Sequence, residues 1–376
     1  MQRETTALIL IVLILVACGV LMVYSATGAS DGYGLLHRQI AYAGVGLLVF
    51  FLLARFDYHR LGEAKFYSVI NLAALVMLVL VLFPPFGVEV DGARRWLKIG
   101  AFQFQPSEIA KFALLLWLAV KLTMNRMHAK ELFRGFVPPF FMTGLYAYLI
   151  YKENDLGLPA VLLGVSLIVM WNAGIHFIYL VLTGVAGVAG VIYIAIKTPY
   201  RFDRLLAFLD PAAHRDDASF QLVQSLRGFA QGELWGQGLG AGEQKLDYLF
   251  AAHTDFIFSV IGEERGLFGS LFIVALFMGF ALAAFRIVLK APDMFGSMLA
   301  CGCAVWTTFQ AAFIMAVTVG LLPTKGMPLP FISYGGTALV VFLACAGVLV
   351  NIGAQVHQEE TGGRSIVPGQ QPLPAY

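Results

Sequence analysis

Residues 7–24 read ALILIVLILVACGVLMVY, a run without a single charge. A helix rises 1.5 Å per residue, and a bilayer's hydrocarbon core takes about 20 apolar residues to cross. The run is therefore long enough to span once its ends snorkel. The YSATGAS that overlaps its end has the small residues of a signal-peptide cleavage site, but more apolar runs follow, so it reads as a retained signal-anchor helix. Working outward, further runs occupy 39–54, 67–85, 107–121, 136–151, 157–171, 175–196, 256–285, 295–321 and 334–354. The 376 residues are 59% hydrophobic and 13% charged, where a soluble domain carries roughly 25% charged residues. The mean hydropathy is +0.78. The expected fold class is an all-α polytopic membrane protein of about ten transmembrane helices, with a large extracytoplasmic loop between the seventh and eighth.

Orientation follows from Lys and Arg in the short loops. With the N-terminus inside, the inner segments hold Arg3, Arg55, Arg60, Lys65, Lys121, Arg126, Lys130, Arg134, Arg286, Lys290 and Arg364. The outer ones hold Arg38, Arg94, Arg95, Lys98, Lys152 and Lys325. The excess puts both termini in the cytoplasm. Segment 197–254 is too polar to span, yet YRFDRLLAFLDP and ASFQLVQSLRGFA have helical apolar spacing. It reads as an extracytoplasmic cap closed by a flexible GQGLGAGEQK, on a transmembrane domain covering 1–355. The polar, Pro/Gly-rich tail 356–376 reads as disordered and cytoplasmic.

Several function classes drop out. A net charge of +2 without a basic stripe gives nucleic acid no footprint. Cys18, Cys301, Cys303 and Cys345 all lie in apolar runs, as small core residues do. Neither a P-loop nor G-x-G-x-x-G occurs. TGVAGVAG, 183–190, is a small-residue helix-packing face.

Charge in the remaining apolar sequence is concentrated at the outer face. In AAHTDFIFSVIGEERG, 251–266, helical spacing puts Asp255, Ser259, Gly262, Glu263 and Gly266 on one face, with Glu264 opposite. Asp255 is then either an N-terminal cap or a carboxylate at the mouth of a small polar groove. Glu263 lines that groove deeper in, or finds a structural partner as Glu264 does. In QPSEIAK, 105–111, Pro106 suits a first helical position, and Glu108 and Lys111 are i,i+3. They form a helix-end ion pair, or Lys111 is held charged to meet an anionic substrate. PTKGMPLPFISYGG, 323–336, has too many prolines and glycines for helix, so it must line protein or water. Lys325 within it suits a phosphate-binding point charge.

ARRWLKIGAFQFQPSEIAK, AAHTDFIFSVIGEE and GLLPTKGMPLPFISYGG closely resemble the signature segments of the SEDS family. SLRGFAQGELWGQGLGAGEQKLDYL resembles that family's extracytoplasmic segment. The resemblance covers roughly residues 8–354. PTKG at 323–326 and MVYSA at 22–26 are more similar to the division branch (FtsW) than to the elongation branch (RodA). The chain departs from the family pattern at Leu249-Phe250-Ala251, at Ile314 and at Thr337-Ala338.

The resemblance implies a peptidoglycan glycosyltransferase that polymerises lipid II at the outer face of the bacterial cytoplasmic (inner) membrane during cell division. It implies that Asp255 is the essential carboxylate and that Glu108 and Lys111 form a functional pair. An α-linked donor and a β-linked polymer require one inverting displacement, hence one general base and no covalent intermediate. Asp255 is the expected base or orienting group. Lys111, Lys325, Arg94, Arg95, Arg201 and Arg204 are the expected cations for the departing diphosphate. Ser259 and Glu263 would line the substrate groove. Mg²⁺ or Mn²⁺ could share the phosphate-binding role, with Asp255 as its ligand. Implied partners are a class B penicillin-binding protein and other divisome membrane proteins. A lipid II flippase, a scaffold without chemistry and a RodA-like elongation polymerase are the alternatives.

Overall fold

Apolar runs bounded by Gly, Pro and charged residues become helices throughout. The computed structural model describes residues 2–27, 34–84, 86–90, 93–100, 102–210, 219–242 and 253–360. In chain order the first helices are α1 (Gln2–Thr27), α2 (Gly34–Arg55), α3 (Tyr58–Leu61), α4 (Ala64–Val81) and α5 (Pro106–Met124). Then come α6 (Val137–Lys152), α7 (Gly157–Asn172), α8 (Phe177–Lys197), α9 (Pro199–Leu209) and α10 (Phe220–Gly232). The last three are α11 (Ile257–Lys290), α12 (Met294–Thr318) and α13 (Gly336–Glu360). Each of the ten expected spans contains a helix, but only seven described helices are long and apolar enough to cross a membrane by themselves. The others are α5, which carries Glu108, Lys111 and Lys121, and α6 and α7, which have 16 residues each. The count of ten is therefore not fixed by length and composition.

The bundle is built around α5, which packs against α4, α6, α7, α12 and α13. Its Ala110, Ala113, Leu114, Leu116 and Leu118 are fully buried. At the opposite extreme, α8 packs on α7 and α9 and buries Leu180 alone among its described side chains. A helix apolar all round with one packed edge turns the rest towards lipid. The small residues of 183–190 serve that edge: Gly184 and Gly187 face Leu167 and Leu163 of α7.

One feature escaped the all-α expectation. Strands β1 (Gly87–Val90), β2 (Ala93–Ile99) and β3 (Phe102–Phe104) form an antiparallel sheet in the order β1-β2-β3. Val90 pairs with Ala93 around Asp91-Gly92, a dipeptide that favours hairpin turns.

α10 and the chain after it are inserted into α11. Gly266 has φ of 64° and breaks the helix, a conformation that favours glycine. The break orphans backbone groups that hydrocarbon cannot satisfy, and residues 233–238 satisfy them. Leu267 and Phe268 donate N–H to the carbonyls of Glu233 and Leu234, at 2.9 and 3.3 Å. Gln237 and Gly238 donate to the carbonyls of Glu263 and Glu264, both at 3.0 Å. The approach requires glycine: a Cβ on Gly232 would lie 1.9 Å from the Gly262 carbonyl oxygen, and one on Gly236 would lie 2.2 Å from that of Glu264.

Two boundaries differ from expectation. The start of GQGLGAGEQK is pinned to the helix break rather than flexible, because its amides are needed there; residues 243–245 lie outside the described residues. α13 continues through Glu360, so 356–360 are helical where a disordered tail was expected. The remainder of that tail, 361–376, lies outside the described residues.

Candidate active site

The N-termini of α5, α7, α11 and α13 converge at one end of the bundle, and the segment 319–335 crosses between them. Two hydrogen bonds tie this segment to the residues before α11, and a third braces it internally. Tyr334 N–H donates to the His253 carbonyl (2.9 Å), and the Ser333 hydroxyl donates to that of Thr254 (2.5 Å). The Ser333 oxygen also accepts from Leu329 N–H (2.8 Å). Phe331 is held at φ of 64°, in the left-handed region, which costs a non-glycine residue about 1–3 kcal/mol. Its ring is buried between Phe280 and Phe342, and its carbonyl oxygen abuts Gly19, where a Cβ would approach to 2.6 Å. At the α5–α13 junction, Gln105 N–H donates to the Thr337 hydroxyl (3.1 Å).

This scaffold sets Asp255 against Gly326: a Cβ at that glycine would fall 2.6 Å from the Asp255 Oδ2. Burial pushes the Asp255 carboxyl up to about 6, while Lys325, Arg204 and Arg95 pull it down. An acid with its pKa near neutrality suits proton acceptance. Lys325 pairs with Asp155, and its stem lies against Gly157, where any side chain would collide with it. Asp155 also accepts the Leu158 N–H at the start of α7 (3.0 Å). Burial alone would raise its pKa, but Lys325, that N–H and Arg95 hold it below the usual carboxylate range. Burial in turn lowers Lys325, with Asp155 opposing.

Arg94 and Arg95 are consecutive in a strand, so they diverge. Arg95 lies 3.9 Å from Asp155 and donates to the carbonyls of Glu153 and Asn154, both at 3.1 Å. Arg94 turns back to Glu89 of its own hairpin (3.2 Å). Arg204 borders a small crevice with Phe208, Leu222 and Thr324. The side chain of Arg201, like the departure at 249–251, lies outside what the structure describes.

Glu108 and Lys111 are paired at 2.6 Å but are almost entirely buried beneath the surface. The Lys111 ammonium lies 4.6 Å from the Trp306 ring centroid and 5.5 Å from that of Phe342, cation–π contacts that offset its desolvation. The pair supports the base of the site rather than lining its opening. The expected groove beside Ser259 also differs. The Ser259 hydroxyl donates to the Ser225 carbonyl (2.9 Å), and Phe229 fills the space beside Gly262. Glu263 is buried against Gly242. Ser259, Gly262, Glu263 and Gly266 form one surface, as their spacing predicts, but protein fills it, and Asp255 lies before α11, against Gly326 instead. Glu264 points elsewhere, accepting from the Ser25 hydroxyl of α1 (2.6 Å).

Around Asp255 stand the cations Lys325, Arg204 and Arg95 and a second carboxylate, Asp155, and among the described residues no group of three His, Cys, Asp or Glu is placed to hold a metal ion. Glu153 is the site neighbour that sequence reasoning missed; two acids in KENDLG, between two short spans, were the available signal.

A model of the FtsW, RodA and SpoVE family, described as cell cycle protein, matches residues 5–358. The chain belongs to this family. A probable peptidoglycan glycosyltransferase FtsW from Geobacter sp. (strain M18) is 37% identical, over 93% of this chain and 97% of that protein. The stage V sporulation protein E of Bacillus subtilis is 34% identical, over 92% and 95% respectively. Among solved structures, a chain of a peptidoglycan synthase complex that coordinates polymerization and crosslinking superposes with a TM-score of 0.78. Its identity is 31%, with 93% of this chain and 98% of that one covered. The rod shape determining protein RodA of Thermus thermophilus gives 0.69 at 28% identity, covering 93% of this chain and 97% of its own. The resemblance read from the signature segments is borne out.

Proposed function

We propose that this multi-pass membrane protein is a peptidoglycan glycosyltransferase that polymerises lipid II at the outer face of the bacterial inner membrane. The observation that carries the reading is Asp255, a partly desolvated carboxylate ringed by Lys325, Arg95 and Arg204. Four helix N-termini point into the same end, and helix N-termini favour anions. The arrangement offers one proton acceptor and several positive groups, which is what an inverting displacement with a diphosphate leaving group requires.

The acceptor GlcNAc 4-hydroxyl oxygen forms the new bond to C1 of the donor MurNAc. The C1–O bond to the polyprenyl diphosphate breaks, and its electron pair leaves with the diphosphate. Asp255 accepts or orients the hydroxyl proton, and the surrounding cations compensate the developing negative charge. Lys325 is the best-placed cation because it pairs with Asp155 and is also the foremost attraction on Asp255. The Glu108–Lys111 pair stiffens the α5 N-terminus below it. Residues 1–355 make up the catalytic membrane domain, with 197–254 as its extracytoplasmic cap, both termini in the cytoplasm and a division role. The likeness to a synthase complex supports a class B penicillin-binding protein as crosslinking partner.

The test is the purified protein, with its transpeptidase partner, given lipid II in liposomes. The reading expects glycan polymer. Lipid II crossing the bilayer without polymer would favour a flippase, and neither product would leave a scaffold.

A further inference from the structure

Glu153 closes the C-terminus of α6 and points its carboxyl into the protein, where 1% of the residue is exposed. Neither carboxyl oxygen has a hydrogen-bond partner. The Ser107 hydroxyl of α5 faces it without reaching hydrogen-bond geometry. The charged groups around it are Asp155 from its own linker, Arg95 from β2 and Glu108 from α5. Arg95 is the only cation of the three, and it spends its donors on the carbonyls of Glu153 and Asn154 rather than on the carboxyl. Asn154 adopts φ of 63°, the bend that brings those two carbonyls to the guanidinium. An ionised carboxylate in such a place would be uncompensated and costly. Two neighbouring acids already carry partners: Asp155 holds Lys325, and Glu108 holds Lys111.

We propose that Glu153 is a positioning residue kept as a neutral carboxylic acid, and that its neutrality leaves Arg95 available to the diphosphate of the substrate. The proposal deepens the glycosyltransferase reading and, for its catalytic half, rests on it. Burial, reinforced by the Asp155 and Glu108 charges, pushes the Glu153 carboxyl up to about 8, so the acid is neutral at physiological pH. Above that pH it ionises. The new anion then competes for Arg95, draws it from its two carbonyls and cancels one positive charge of the site. The bound diphosphate loses a cation, so KM rises, and the departing diphosphate loses the same cation, so kcat/KM falls at least as far.

Glu153→Gln tests this, because glutamine reproduces the neutral acid and cannot ionise. In lipid II polymerisation by the full-length protein with its partner, the variant should match the parent at pH 7 to within about twofold. The parent's KM should climb above about pH 8, and that climb should be absent in the variant. Lys325, which burial also lowers, titrates in both proteins, so an alkaline limb caused by the lysine would survive the substitution and overturn the proposal. A loss of about tenfold or more at pH 7 in a folded variant would also overturn it. Infrared spectroscopy provides a readout independent of activity. The parent should show a protonated-carboxyl C=O band at pH 7 that disappears in Glu153→Gln, and its absence from the parent would sink the assignment. Failure of the parent to polymerise lipid II at all would instead refute the glycosyltransferase reading, with the infrared band still deciding the state of Glu153.

Discussion

Replacing Lys325 by methionine separates the two jobs that its ammonium does. Methionine keeps the stem that lies against Gly157 and deletes the charge. Lys325 is the leading attraction lowering the Asp255 pKa. An opposite charge within reach of a carboxylate shifts it by about 1–3 units, and Arg95 and Arg204 remain, so about one unit is expected. That is about 1.4 kcal/mol and carries Asp255 from near 6 to about 7. For a general base, the acid limb of the kcat/KM profile moves alkaline by the same unit. The ion pair adds a stability effect. Asp155, whose side chain is 7% exposed, retains the Leu158 N–H at 3.0 Å and Arg95 at 3.9 Å. Breaking a buried pair costs about 3–5 kcal/mol, and the residual arginine argues for the lower end. Asp155→Asn added to Lys325→Met should recover most of the thermal stability, because the buried carboxylate charge is gone, and should move the acid limb part of the way back, because the Asp155 charge raises Asp255. Polymerisation rates across pH and thermal unfolding in detergent measure the two effects. An acid limb that stays in place in Lys325→Met would refute the electrostatic coupling to Asp255.

Three further outcomes follow from other contacts. Lys111→Met leaves Glu108 buried without its cation and should cost about 3–5 kcal/mol in thermal unfolding, with Glu108→Gln in the same chain recovering most of it. Gly232→Ala forces α10 off the Gly262 carbonyl, and overpacking of this kind costs about 1–3 kcal/mol. Hydrogen exchange at Leu267 and Phe268 should rise with it, since their amides depend on the inserted segment. At the far ends of α11 and α13 from Asp255, His59 bridges Asp57 and Asp293, each at 2.8 Å. Burial would lower its pKa, but hydrogen bonds to Asp293 and Asp57 raise it above its ordinary value. A raised histidine stabilises fully below its unfolded pKa and loses that contribution as pH rises through the folded value. The melting temperature of the parent should therefore exceed that of His59→Gln most near about pH 6 and by less at higher pH.

The spans were legible because a bilayer demands long uncharged runs, and 7–24 satisfies that demand outright. Asp255 was legible for the complementary reason: a carboxylate beside FIFSVIG is expensive unless it has work. Helical spacing placed Ser259, Gly262, Glu263 and Gly266 on one face, and they do share one. Spacing cannot say what covers a face, however, and Phe229 and residues 232–238 arrive from a segment that a polar reading left as a cap. The break at Gly266 was hidden for a related reason. Glycine permits a left-handed residue without requiring it, and only the orphaned amides filled by Glu233 and Leu234 reveal the interruption. The sheet at 87–104 was signalled by Asp91-Gly92 but is short beside the helices that flank it. Glu153 depends on Arg95 choosing carbonyls over a carboxylate, which no local pattern encodes.

The central claim is that Asp255 performs or directs proton transfer rather than holding the fold or the substrate. The most direct measurement compares Asp255→Ala with the parent for lipid II binding and for polymerisation in the same preparation. The account predicts a folded variant that binds lipid II with affinity close to that of the parent and forms no polymer. Polymer at the parental rate from Asp255→Ala would contradict it.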